Sequence, residues 1–294
     1  MMEIIANTYF SGCGLLDAGL IEAGFTIGKA FELDETAASV YRHNLGDHIV
    51  QCDIAKKTVL ADTDCDLMAF TYPCTKYSTL SDLHDTRTGD DLFLHALRHV
   101  AIKSPEAYLV ENVPGMRAFP IVMEAMTRLP NYYINVFCPV GAETWLPQKR
   151  PRLIIFGTKK PFTVSPPECH WPITLKEILE DDPQVSWPGA INKRLDGIYR
   201  DKPIISDPDR GDIAPLCLAH YGKDKSTRLV VDRRFNRGVR PYTVREYARL
   251  QGVPEWFEFN CSDSNAYKMI GNGVPRQMAR WAGLELKRYF SRLS

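Results

Sequence analysis

No two of the eight cysteines in this 294-residue chain stand as a CxxC pair, and their spacing is irregular. That absence excludes a zinc ribbon and speaks against a disulfide framework, which a chain of this length does not need in order to bury a core. A reducing, cytoplasmic setting without a bound metal is the expectation. No apolar run approaches the roughly 20 residues that a membrane span requires, and no charged-then-apolar leader opens the chain, so a soluble, unprocessed protein is expected. Internal repeats and low-complexity tracts are lacking too. Net charge is zero, with 36 basic against 36 acidic side chains. Evenly spread, that balance would argue against a nucleic-acid partner, but the charge is lopsided. Eleven acids face four bases in residues 1–70, whereas nine bases face three acids in residues 223–249. The basic block is either a solvated face or a strip that contacts phosphates.

Through residue 158 short apolar runs such as "IIANTYF", "LMAFTYP", "AYLVENV" and "RLIIFGT" alternate with amphipathic ones such as "ETAASVYRHN" and "DDLFLHALRHVAI". Strand and helix periods taking turns imply βαβ units, an α/β fold with a largely parallel sheet covered by helices on both faces. Ligands of such sheets sit at the carboxyl ends of the strands. Prolines crowd residues 159–238 and long periodic segments thin out, which reads as an irregular inserted lobe. Order returns over 239–294, with "YTVREYARLQGV" as an amphipathic helix and "GNGVPRQMARWAGLELKRYF" as a loop whose proline opens a final helix. The expected division is therefore 1–158, 159–238 and 239–294.

Three constellations carry chemistry. The glycine corner "FSGCGLLDAGL" begins at Phe10 and lies between a predicted strand and a helix. It fails as a dinucleotide fingerprint, because Asp17 stands where GxGxxG needs its third glycine. The next strand ends in Glu32, suited to ribose hydroxyls, and a third ends near Asp53, suited to an adenine amine. Gly, Glu and Asp at successive strand ends fit a nucleoside without a pyrophosphate, S-adenosylmethionine better than NAD; each alone is also an ordinary turn or surface carboxylate. Second, "TYPCTKYS" presents Cys74 at a strand-to-loop corner, with Glu111 of "ENV" at the end of the following strand. A lone cysteine is usually packing, but Pro73 before it and the polar loop behind it favour exposure, and a positioned thiol is a strong nucleophile. Third, in "PQKRPRLIIFG" Arg150 and Arg152 alternate at strand spacing, so they can share one anionic or carbonyl partner or simply keep a strand edge soluble.

In this order these segments resemble the cytosine-C5 DNA methyltransferases of bacterial and phage type, over nearly the whole chain except 159–238. "FSGCG" looks like that family's cofactor motif, Pro73 and Cys74 like its nucleophile motif, "ENV" like its glutamate motif, and "QKRPR" like its QxRxR motif; "RPYTVREYARLQGVP" and "GNGVP" resemble its last two. The resemblance implies a Rossmann-like catalytic domain, a smaller inserted target-recognition lobe, and a C-terminal helix beside the first helix. It implies S-adenosyl-L-methionine as donor and S-adenosyl-L-homocysteine as product. By matching positions, Phe10, Ser11, Gly12, Cys13, Gly14, Glu32, Leu33, Asp53, Ile54, Pro73, Asn272 and Val274 become cofactor contacts. Cys74 becomes the nucleophile that adds to cytosine C6, and Glu111 the partner of N3 and the exocyclic amine. Arg150 and Arg152 would hold the base and the glutamate, with Asn112 shaping the pocket.

The partner implied is double-stranded DNA, acted on by a monomer either in a restriction-modification system with a cognate endonuclease or alone, at the nucleoid. A target base must be flipped out to reach Cys74; Thr75, Ser78, Arg233, Arg234, Arg237 and Arg240 are the DNA-contact candidates. Two positions depart from the pattern: Thr75 stands where the family has glutamine, and Leu15 where it has a second glycine. The alternatives are a tRNA methyltransferase on the same scaffold, whose Cys-Phe-Thr signature does not occur here, a silent DNA-binding homologue, and a cysteine hydrolase using His84 or His95.

Overall fold

A computed structural model of the chain describes residues 3–73, 92–197 and 205–293. The chain forms two compact units, one of residues 1–140, 151–167 and 278–294, the other of 141–150 and 168–277. These boundaries differ from those expected at 158/159 and 238/239. The proline-bearing stretch 160–167 stays with the first unit: Asn135 Nδ2 donates to the Phe162 carbonyl, and the Phe162 ring packs edge-on against Tyr289. Residues 239–277 belong to the second unit because strand pairing and helix packing hold them there. Composition marks where regular structure thins, not where contacts stop.

The first unit is built on a seven-stranded sheet of β1 (Ile5–Tyr9), β2 (Thr26–Glu32), β3 (Ile49–Gln51), β4 (Leu67–Phe70), β5 (Ala107–Asn112), β6 (Tyr133–Gly141) and β7 (Pro151–Thr158), in the order β3-β2-β1-β4-β5-β7-β6. The first five strands pair in parallel. β7 is antiparallel to β5, which the alternation of motifs did not reveal. β4 and β5 are buried at every position, the pattern of strands covered on both faces. Tyr9, Phe31, Phe70, Tyr108 and Ile155 lie in the core around them. Strand order reverses between β1 and β4, and in such sheets ligands bind beyond the strand ends at that switch point.

Helices α1 (Leu15–Glu22), α2 (Glu35–Leu45), α3 (Phe93–Lys103) and α4 (Pro120–Thr127) follow their strands. Asp34 caps α2 by accepting from the Thr36 and Ala37 amides.

The second unit contains α5 (Leu175–Ile178), α6 (Gly189–Asp196), a small sheet of β8 (Ile205–Ser206), β9 (Leu229–Val231) and β10 (Val239–Pro241), then α7 (Val244–Leu250) and α8 (Asp263–Asn272). Tyr221 stacks on Tyr247 at 4.7 Å, and Tyr267 meets both edge-on. A capping box of Thr243 and Glu246 starts α7. "GNGVP", expected as a loop, is corrected in part: Gly271 and Asn272 form the last turn of α8, and only Gly273–Pro275 connects to the final helix α9 (Arg276–Phe290). Within the first unit α9 lies beside α1. A Cβ on Gly283 would come within 2.6 Å of Ala23 Cβ, and Arg280 pairs with Glu22 at 3.0 Å.

Candidate active site

The corner after β1 is built from left-handed backbone. Phe10, Gly12 and Gly14 have φ of 61°, 57° and 92°. A side chain at Gly14 would run into Tyr41 and Leu45, with Cβ distances of 2.4–2.9 Å, whereas a Cβ at Gly12 would meet nothing within 4 Å. Gly14 is therefore required by packing, and Gly12 leaves main chain facing open space that a ligand can approach. Ser11 and Cys13 between them are buried. Glu32, at the end of β2, accepts from the Gly12 amide at 2.7 Å through Oε2 and from the Leu33 and Asp34 amides at 2.8 Å through Oε1. Its carboxylate is thus aimed beside the glycine corner, with lone pairs left for hydroxyls.

Leu33 is 64% exposed, an apolar surface at a strand end, while Ile54 is buried. Asp53 accepts from the Ala55 amide at 3.0 Å, which holds its carboxyl below the usual carboxylate range. Open main chain, an oriented carboxylate, an uncovered leucine and a second carboxylate suit the ribose and adenine of S-adenosylmethionine. Beneath the corner, Asp17 is fully buried and accepts from Thr8 Oγ1 at 2.7 Å and Tyr41 OH at 2.6 Å; burial raises its carboxyl to about 6.

At the end of β5 the antiparallel register with β7 sets Asn112 opposite Leu153, which brings Arg152 to Glu111. Arg152 Nε and Glu111 Oε1 stand 2.7 Å apart, each side chain 9% exposed, so two formal charges compensate in a largely desolvated place. Asn112 Nδ2 donates to the Tyr72 carbonyl at 3.1 Å, two residues before Cys74. Thr71 Oγ1 donates to the Phe10 carbonyl at 2.9 Å. The ends of β1, β4 and β5 are thereby tied together immediately upstream of exposed Pro73. Thr71 and Tyr72 escaped the sequence reading because they act there through main chain and a hydroxyl, which leave no residue-type signature. Cys74, Thr75, Ser78 and His84 lie outside the described residues.

Arg150 requires a correction. Its buried guanidinium donates to the carbonyls of Cys217 at 3.2 Å and of Gly271 and Gly273 at 2.8 Å, all in the second unit. It braces the turn that carries exposed Asn272 and buried Val274. The two arginines hold different groups here, Arg152 the Glu111 carboxylate and Arg150 these three carbonyls. Gln148 and Gln251, side by side at 3.0 Å, extend this brace; Gln251 Nε2 donates to the Ile270 carbonyl at 2.7 Å.

The basic block 223–249 is also corrected. Arg240 is fully buried and pairs with Asp232 at 2.8 Å and Glu246 at 2.7 Å, so it has no surface to offer a phosphate. Exposed Arg234 pairs with Asp232 at 2.7 Å and Arg237 with Asp196 at 2.5 Å. Arg249 and Arg245 turn to Glu255. The run of bases is largely an internal frame, and Arg233 is exposed, with Asp209 as its acidic neighbour.

The chain matches the family described as C-5 cytosine-specific DNA methylase over residues 8–200 and 219–288. It is 29% identical to the type II methyltransferase M.NgoPII of Neisseria gonorrhoeae, over 99% of this chain and 97% of that protein. It is 29% identical to M.NgoFVII of the same organism, over 91% and 82%. Among solved structures, the Dnmt2 methyltransferase of S. pombe superposes with a TM-score of 0.79 at 18% identity, covering 99% of this chain and all of that one. The matched segments take in the glycine corner, the Glu111–Arg152 pair and the braced turn before α9, and the chain belongs to the C-5 cytosine-specific DNA methylases.

Proposed function

We propose that the chain transfers a methyl group from S-adenosyl-L-methionine to C5 of a cytosine flipped out of double-stranded DNA, leaving S-adenosyl-L-homocysteine. The carrying observation is the buried Glu111–Arg152 pair at the end of β5, next to the Asn112 amide that holds the chain two residues before Cys74. Cytosine C5 is a poor nucleophile until C6 is attacked. The Cys74 thiolate forms the S–C6 bond while Glu111, fixed by Arg152, hydrogen-bonds N3 and the exocyclic amine and stabilises the charge that builds there. The bound cofactor supplies an electrophilic methyl group on a sulfonium. A base then takes the C5 proton, and the electrons of that C–H bond restore the ring as the S–C6 bond breaks. On the cofactor side, Phe10, the Ser11–Gly14 corner, Glu32, Leu33, Asp53 and Ile54 take the nucleoside, with Pro73, Asn272 and Val274 added by family resemblance.

Flipping costs a few kcal/mol, and DNA contacts must offset it. Arg233 on the second unit, together with Thr75 and Ser78, is assigned to that task. Relatives named as type II methyltransferases favour a restriction-modification role with a cognate endonuclease, the enzyme acting as a monomer in the cytoplasm. Incubation with cofactor and duplex DNA containing 5-fluorocytosine tests the chemistry, because fluorine at C5 blocks the final proton loss. A covalent complex that Cys74→Ser abolishes is expected; no complex, or one that survives the substitution, overturns the mechanism.

A further inference from the structure

Between β3 and β4 the only regular structure is the three-residue turn Val59–Ala61, yet this connection carries Asp53 and Ile54, the residues assigned to the adenine. What orders it is one face of α3. Arg98 Nη2 donates to the carbonyls of Ile54 and Lys57, the second at 2.8 Å. One turn on, Lys103 Nζ donates to the Asp62 carbonyl at 2.6 Å and pairs with Asp64 at 3.0 Å. Between them His99, fully buried, sets Nε2 3.4 Å from Asp62 Oδ2, an oxygen that accepts from Tyr9 OH at 3.0 Å. Burial lowers His99 to about 4, so it stays neutral, and the Lys57 ammonium lies against the Asp62 carboxylate.

Two carbonyls three residues apart turned toward one guanidinium fix the main chain on either side of Ala55. The Ala55 amide is the group that orients the Asp53 carboxylate. We propose that Arg98 is a positioning residue for cofactor recognition: by holding the Ile54 and Lys57 carbonyls it sets Asp53 and Ile54 against the adenine without touching the cofactor. This rests on the reading that Asp53 and Ile54 face the adenine. The guanidinium is essential, since a side chain of equal length without N–H groups leaves both carbonyls without their donor.

The test is cofactor binding by calorimetry and steady-state kinetics on Arg98→Met, Arg98→Lys and Asp53→Ala, with thermal unfolding in parallel. Loss of one charge-assisted hydrogen bond or more in Arg98→Met is expected to weaken cofactor binding about tenfold or more. KM for the cofactor should rise in step, while kcat at saturating cofactor and DNA affinity stay within about twofold, as expected when binding that is equal in ground and transition states is removed. Arg98→Lys, with one donor group, should recover part of the loss, and it carries the same readout if the methionine variant does not fold. Unchanged cofactor affinity in both Arg98 variants overturns the proposal whatever Asp53→Ala does. So does a fall in kcat, DNA affinity and melting temperature together with KM for the cofactor unmoved. Unchanged affinity in Asp53→Ala alone would instead remove Asp53 from the adenine site.

Discussion

Glu111 is the partner of Arg152 in a desolvated ion pair and also the carboxylate assigned to the base, so its substitutions separate two effects. Replacing it by glutamine keeps the shape but weakens acceptance of the base's protons. We expect kcat to fall about 10²–10³-fold, the range for loss of one preorganised electrostatic contact, with DNA affinity changed much less; near-normal turnover would exclude the role. Arg152→Met instead strands a buried carboxylate and should cost about 3–5 kcal/mol in denaturant unfolding. Asp17 gives a pH signature. Its folded-state carboxyl titrates at about 6 against an ordinary 3.8, so the folded state binds the proton more tightly than the unfolded one. The stability this contributes is fully present below about pH 4 and is lost as pH rises through 6. At about 1.4 kcal/mol per pH unit of separation the loss is on the order of 3 kcal/mol. Asp17→Asn keeps an acceptor for Thr8 and Tyr41 without titrating. Urea unfolding from pH 4 to 7 should show the wild type falling relative to that variant; parallel curves would refute the assignment.

Elements were legible in the sequence where periodicity and chemistry coincided. The apolar runs became β1, β4, β5 and β7, and "YTVREYARLQGV" became α7 with its capping box. What misled was local texture. Glycine and asparagine in "GNGVP" read as a loop, yet Gly271 sits in α8 because its missing side chain leaves room for the Ala219 backbone, whose Cα would be 2.6 Å from a Cβ there. At the start of α1 the reading was right for a reason that only packing reveals. Gly14 combines φ of 92° with Tyr41 and Leu45 pressed against it. Gly14→Ala is therefore expected to lose on the order of 2–4 kcal/mol from backbone strain and overpacking, seen as a lower melting temperature together with weaker cofactor binding. A wild-type melting temperature would show that the corner can shift.

Across the whole molecule, charge is the property that sequence described least well. Nine bases in 27 residues looked like a phosphate strip, but acids within or just past the block, Asp232, Glu246 and Glu255, together with the more distant Asp196, neutralise much of it. Arg233 and Arg240, seven residues apart, should therefore behave oppositely. Arg233→Ala is expected to weaken DNA binding across sequences and reduce the salt slope of log K by about one unit. Arg240→Ala should leave that slope alone and destabilise the protein by about 3–5 kcal/mol, because Glu246 loses its buried partner. Equal salt slopes for wild type and Arg233→Ala would remove Arg233 from the interface. By itself the sequence determined which polar residues stand at strand ends, because Gly12, Glu32, Asp53 and Glu111 each follow an apolar run whose alternation places them at its carboxyl end. Only the tertiary structure decided which side chains are free to act. Arg150, Arg152, Arg233 and Arg240 are alike as letters, yet folding gives Arg152 the Glu111 carboxylate and Arg150 the carbonyls of Cys217, Gly271 and Gly273, buries Arg240 with its near neighbours Asp232 and Glu246, and leaves Arg233 exposed.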